Sequence, residues 1–358
     1  MKSTKLFFIS TIALAFATLL FGSCRKTETP QIQYEATFYV GGDSPDIAYI
    51  YKNGEILYDL GANASVDGIA LTSDGTVYAA GSTYKRAEDM LIPAIWKNGE
   101  AIDLSFISAK EGIFEDIVAN GNNWASCAKL KNEDNQSYGC VVENGKIIYE
   151  SESDVYFLCM AYGPSGDLYV VADDKEGIKL LRIAAEASHS LLSTELIASH
   201  VDGSSWIAKC IHVGLSDIAV GLDKFYTDSM SSDSYIWFNG GRGMQCLDRG
   251  SEINDITFFS GYLVAVGDKL TVTGSGENLS IKSTAVQWVN GLAEDFSYGC
   301  TGDSSVTMVK NWNNMFLFQC VWSESGVQLC ANGGLYKEII NLPDGFYVDC
   351  WEVVVKQI

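Results

Sequence analysis

The 358-residue sequence predicts an all-β fold, a seven-bladed β-propeller whose N- and C-terminal strands share the closing blade. Three observations predict it. A turn dipeptide recurs at blade spacing, short apolar segments flank each turn, and each chain end lacks what the other supplies.

The dipeptide is Asn-Gly, at 53–54, 98–99, 144–145, 239–240, 290–291 and 332–333, with gaps of 45, 46, 95, 51 and 42 residues. The longest gap spans two repeats, one of which has lost its turn near Ala185. Asn-Gly between apolar segments marks a tight hairpin, because both central residues of a type I′ turn need positive φ and these two tolerate it. Ile47-Ala48-Tyr49-Ile50-Tyr51 enters the first turn and Glu55-Ile56-Leu57-Tyr58 leaves it. A further copy, Asn120-Gly121, is out of phase and belongs to another hairpin of its unit.

That other hairpin lies upstream in each unit. Gly68-Ile69-Ala70-Leu71 and Val77-Tyr78-Ala79-Ala80 flank the turn Ser73-Asp74-Gly75, and similar pairs follow, such as Asp116-Ile117-Val118-Ala119 with Trp124-Ala125-Ser126-Cys127. Each unit thus has four strands, a to d, and six complete units fit between residues 66 and 343. Residues 36–60 hold only b, c and d, while Val348-Asp349-Cys350-Trp351 reads as an unaccompanied a. Closing so long a ring costs roughly 5 kcal/mol of chain entropy. Each large apolar side chain fully buried returns about 1.5–3 kcal/mol, so Trp351, Val353, Val354 and Val355 suffice. A β-solenoid or a pair of sandwiches accounts for repeats but leaves the complementary ends unexplained.

Lys2 and Lys5 precede an apolar run from Leu6 to Gly22 that stops at small residues before Cys24. The run is too short for a membrane span and has the form of an export signal. Leu20-Phe21-Gly22-Ser23-Cys24 resembles a bacterial lipoprotein lipobox. The resemblance implies cleavage before Cys24, acylation of that cysteine and attachment to a membrane. The expected organisation is a signal peptide over 1–23, a tether over 24–34 and the propeller over 35–358.

Removing residues 1–23 takes away two lysines and no acids, moving the net charge from −21 to −23. Nucleic acid is excluded as a partner, since phosphate binding needs clustered Lys and Arg. An acidic surface for solubility accounts for the charge, with attraction of a cationic ligand as the other reading.

No G-x-S-x-G, H-E-x-x-H, Walker A, G-x-G-x-x-G or C-x-x-C motif is present, and nothing implies a cofactor. His189, His200 and His212 fall in neighbouring units and read as solvated or core residues more readily than as a site. Setting Cys24 aside leaves nine cysteines, an odd number, mostly within strands where cysteine serves as a small apolar residue. Cys127 with Cys140, and Cys320 with Cys330, would pair only if directly opposite. No spacing suits zinc or another metal.

The candidate ligand residues open strand a: Asp67, Asp116, Asp255 and Asp349, with Tyr156, Trp206 and Ser305 in the other units. By resemblance to other propellers, this position lies near the rim where d-to-a and b-to-c loops gather. Four carboxylates there would hold a cation or sugar hydroxyls, with Tyr156 and Trp206 as stacking platforms. The structural alternative is that the acids accept backbone N–H groups and lock adjacent blades. Asp223 to Ser234 and Asp268 to Ser283 read as long polar b-to-c loops.

The whole chain resembles the uncharacterised propeller lipoproteins of Bacteroidetes-type bacteria. The resemblance is carried by Cys24, the Lys-Asn-Gly turns and strand pairs such as the one containing Gly166-Asp167-Leu168-Tyr169-Val170. It implies an outer-membrane lipoprotein, periplasmic or surface-facing, whose rim binds a glycan, peptide or protein. A propeller polysaccharide hydrolase or lyase is the alternative, and a purely structural envelope component a third. Surface-exposed members carry an acidic stretch after the lipidated cysteine, from which Arg25-Lys26-Thr27-Glu28-Thr29 departs.

Overall fold

The computed structural model describes residues 34–44, 47–185, 189–200, 204–226, 231–273, 280–296, 302–323, 326–331, 334–339 and 346–357. The signal segment, Cys24, Cys300 and Asn332-Gly333 lie outside the described residues. Residues 37–354 form one compact unit, and the described residues 34–36 and 355–357 fall outside it.

Seven four-stranded antiparallel sheets make the seven blades of a propeller. Blade I combines the C-terminal strand Tyr347–Gln357 with Tyr34–Ser44, Ile47–Lys52 and Glu55–Ala62, in that order from the centre outward. The inner strands of blades II to VII are Ala64–Leu71, Glu111–Asn120, Tyr156–Tyr162, Ser204–Val213, Ser251–Phe259 and Ser304–Trp312. At the closing seam Trp351 stacks on Phe38, with centroids 6.1 Å apart and planes 8° from parallel. Phe38 in turn meets Phe318 of blade VII edge-on at 5.6 Å.

The core lies between blades. Ala70, Tyr78, Ala80 and Ile95 of blade II pack against Phe114, Ile117, Trp124 and Leu130 of blade III, and similar clusters fill the other described seams. Alternating side chains give every strand two apolar faces, one for each neighbouring blade.

The asparagines of the c-to-d turns do more than reverse the chain. Asn53, Asn98, Asn144 and Asn290 adopt φ of 52°, 51°, 49° and 50°. Each also accepts, through Oδ1, the N–H that opens its own strand b: Phe38 at 3.0 Å, Val77 at 3.0 Å, Trp124 at 3.1 Å and Leu263 at 3.0 Å. Blade IV, which lacks the dipeptide, inverts the device. There Asp167, just before strand b, accepts the Ala185 N–H at 3.0 Å and holds Arg182.

Two expectations are corrected. The segments Asp223 to Ser234 and Asp268 to Ser283 are largely strand, because b and c extend to Tyr226 and Ser231 in blade V and to Thr273 and Ser280 in blade VI. Much of their Ser, Thr and Lys content therefore lies on strands. The two proposed disulfides are excluded by register. Cys127 pairs with Val141 and Cys140 with Ala128, while Cys320 pairs with Leu329 and Cys330 with Gln319. A one-residue offset puts the thiols on opposite faces of the sheet, and all four cysteines are free and buried.

Candidate functional site

A β-bulge interrupts the pairing of strands a and b at equivalent places in the blades. Val66 opposes Gly81 and Gly68 opposes Ala80, leaving Asp67 as the extra residue. The same shift isolates Glu115, Leu158, Lys209, Asn254 and Thr307 in blades III to VII. A bulge makes two residues face one, which crowds the partner strand. Glycine relieves that crowding: a Cβ at Gly81 would fall 2.1 Å from the Ser65 carbonyl oxygen, and one at Gly267 would fall 2.0 Å from that of Glu252. Gly42 stands in the same relation to Tyr347, at 2.0 Å, which puts Asp349 at the corresponding place in blade I.

The bulges turn these side chains toward the axis. A central cavity of about 370 Å³ draws its lining from all seven inner strands, with Asp67, Glu115, Leu158, Lys209, Asn254 and Asp349 among its walls. Six carboxyl groups and two lysines line it. The acids are unevenly spread, for Asp349, Asp67 and Glu115 occupy three successive blades.

Burial raises the Asp67 carboxyl to about 8, helped by the charges of Glu115, Asp349 and Asp43. Its Oδ2 is buried and has no hydrogen-bond partner among the described residues. Asp349, set in the wall of the mouth, is raised to about 7 by the protein around it and by Asp43. Burial also raises Glu115, against the pull of Lys129. Deeper in the cavity Lys310 lies 3.3 Å from Glu352, and that charge raises the lysine, with Asp255 and Asp116 adding to it.

The sequence alignment of the four aspartates is off by one residue. Asp67 and Asp349 are bulge residues, whereas Asp116 and Asp255 follow the bulge and align with Gly68. Both carboxylates are engaged by backbone. Asp116 accepts N–H from Ile117 at 2.7 Å and from Met160 of blade IV at 2.9 Å. Asp255 accepts N–H from Ile256 at 2.8 Å and from Val309 of blade VII at 2.9 Å. Each therefore braces its blade to the next. None of the four opens its strand: Asp349, Asp67, Asp255 and Asp116 are its third, fourth, fifth and sixth residue respectively, and all line the channel.

Tyr156 and Trp206 are outside the cavity. The Lys129 ammonium sits 4.3 Å above the Tyr156 ring. Trp206 meets Tyr235 edge-on at 5.1 Å, with Lys224 over its face at 5.3 Å. Ser305 donates to Asp268 Oδ1 at 2.9 Å. The histidines are dispersed: His189 contacts Glu143 at 3.1 Å, His200 contacts Asp173 at 2.7 Å, and His212 packs on Phe258, its imidazole lowered to about 4 by burial. Among the described residues no group of His, Cys, Asp or Glu is arranged to hold a metal ion.

Glu115, Lys209, Asn254, Lys310 and Glu352 were not singled out by the sequence. For Asn254 the available signal was Gly267 in strand b, which faces its bulge, as Gly81 faces that of Asp67; the bulges of Glu115 and Lys209 face Ala128 and Leu222 and carried no such signal.

No family model matches the chain, and no curated protein matches it. Several solved structures resemble it at low identity. A protein of unknown function from Bacteroides caccae is 12% identical over 89% of this chain and 98% of its own, with a TM-score of 0.44. A protein from Lactobacillus plantarum is 10% identical over 90% of this chain and 100% of its own, with a TM-score of 0.45. The β-propeller domain of the Trilobed protease from Pyrococcus furiosus is 14% identical over 76% of this chain and 82% of its own, at 0.43.

Proposed function

We propose that the protein is a lipid-anchored binding protein of the cell envelope that takes a glycan, peptide or protein segment at the channel mouth on the b-to-c face. The carrying observation is the central cavity, walled by all seven blades, whose acidic bulge residues lie toward that mouth. Pockets with a few convergent polar groups and perturbed carboxyls are the default binding sites of a fold. Asp116 and Asp255 are committed to backbone and Glu352 to Lys310, which leaves Asp67, Glu115 and Asp349 to meet a ligand.

Chain direction supports the placement of the mouth. Strand b of blade I runs from Thr37 toward the b-to-c turn near Ser44, so the chain enters at the end opposite the mouth.

A hydrolase is the second reading, favoured by one observation. A carboxyl raised to about 8 beside two others is a proton donor next to potential bases. Glycan and peptide arrays on the full chain, followed by product analysis of each hit, separate the two readings. Binding without turnover is expected. Turnover that disappears in Asp67→Asn replaces the binding reading with the hydrolytic one, and absence of binding on every array removes the mouth as a ligand site.

A further inference from the structure

We propose that a second pocket at the mouth, between blades VI, VII and I, is a subsite for one saccharide ring, with Trp322 and Tyr347 as its apolar wall. The proposal rests on the mouth being the ligand face and names the ligand class for one part of it. The pocket has a volume of about 320 Å³ and joins the central cavity through Asn254 and Asp349, which line both.

A sugar ring needs two surfaces, an aromatic plane for its C–H face and fixed donors and acceptors for its hydroxyl edge. Both are present. Trp322 and Tyr347 are stacked with centroids 6.2 Å apart and planes 27° from parallel. Tyr347 is 57% exposed, a large aromatic left open beside polar groups.

Asn254, Asp268, Ser305, Thr307 and Asp349 supply the polar lining. A hydrogen-bond chain orders them. Asn254 Nδ2 donates to Ser305 Oγ at 2.8 Å and to the Val306 carbonyl at 3.1 Å. The Ser305 hydroxyl donates to Asp268 Oδ1 at 2.9 Å, and the Ser283 hydroxyl donates to Asp268 Oδ2 at 2.5 Å. With both donors engaged, the Asn254 amide plane is fixed and its carbonyl oxygen is left to accept from a ligand hydroxyl. Thr307 is likewise anchored, donating to the Cys320 carbonyl at 3.3 Å.

Charge narrows the class. Asp268 and Asp349 line the pocket and no lysine or arginine does. A uronic acid would bring a third carboxylate into that space without a counter-charge. The ring is therefore neutral or carries an amine.

Calorimetry of the full chain with mannotriose, glucosamine trimer and trigalacturonate tests this. The neutral or the amino trimer binds and trigalacturonate does not. Tyr347→Ala, at an exposed position, and Asn254→Ala each weaken that binding about fivefold or more, with melting curves confirming that both variants fold. Binding left unchanged in both variants overturns the subsite. If the same sugar is then lost in Glu115→Gln, the mouth survives as the ligand face while this pocket does not. Preference for trigalacturonate, or binding of none of the three, also overturns the proposal, and a peptide hit in the latter case leaves the broader reading standing.

Discussion

Asp67 and Asp116 are channel carboxyls of adjacent blades with different roles. Asp67 has a folded-state value of about 8, above that of an ordinary carboxylate. Folding therefore takes up a proton between those two values, and stability falls as pH rises from about 4 to 8, then levels off. Asp67→Asn, which mimics the protonated form, should gain on the native chain across that window by up to about 2–4 kcal/mol. Denaturant melts from pH 4 to 9 give the measurement, and parallel pH profiles for the two chains would contradict it. Asp116→Ala has the opposite effect. It strands the Ile117 and Met160 N–H groups in a buried seam, at a cost of about 2–4 kcal/mol, read as a lower midpoint with an unchanged slope. A ligand retained by Asp116→Ala and lost by Asp67→Asn would separate the brace from the site.

At the level of strands, glycine faces the bulge in blades I, II and VI, whereas Ala128, Ala172, Leu222 and Val321 face it in the others. Gly81→Ala drives a methyl into the Ser65 carbonyl, so the bulge must straighten or the strands must part. The expected loss is about 1–3 kcal/mol, measured by thermal melting, together with a weaker ligand response because Asp67 loses its aim. A variant as stable as the native chain would show that the bulge tolerates a side chain. The strands themselves were legible because Asn-Gly turns and apolar runs are local signals. The bulge was not, because it is a mismatch between two strands and neither strand states it alone. The aspartates at 116 and 255 drew the alignment one residue too far, hiding Glu115 and Asn254 beside them. Trp322 and Tyr347 were missed for a different reason, being distant in sequence and joined only when the closing blade forms.

Across the molecule, the last strand joins the ends. Trp351 on Phe38, and Phe38 on Phe318, tie blade VII to blade I. Deleting residues 348–358 should expose the edge of Tyr34–Ser44 and give a chain that aggregates. Light scattering and melting test this, and a truncated monomer with normal melting would count against closure by the C-terminal strand. The same deletion removes Asp349 from both pockets, so loss of fold and loss of binding should coincide. The recurring extra residue on each inner strand carries one more consequence. Its position is held by the main chain, and Asp, Glu, Leu, Lys, Asn and Thr all occupy it within this one chain. The inner wall thus works as a set of interchangeable sockets, in which a single codon change can retune what the hole accepts while the scaffold stays as it was.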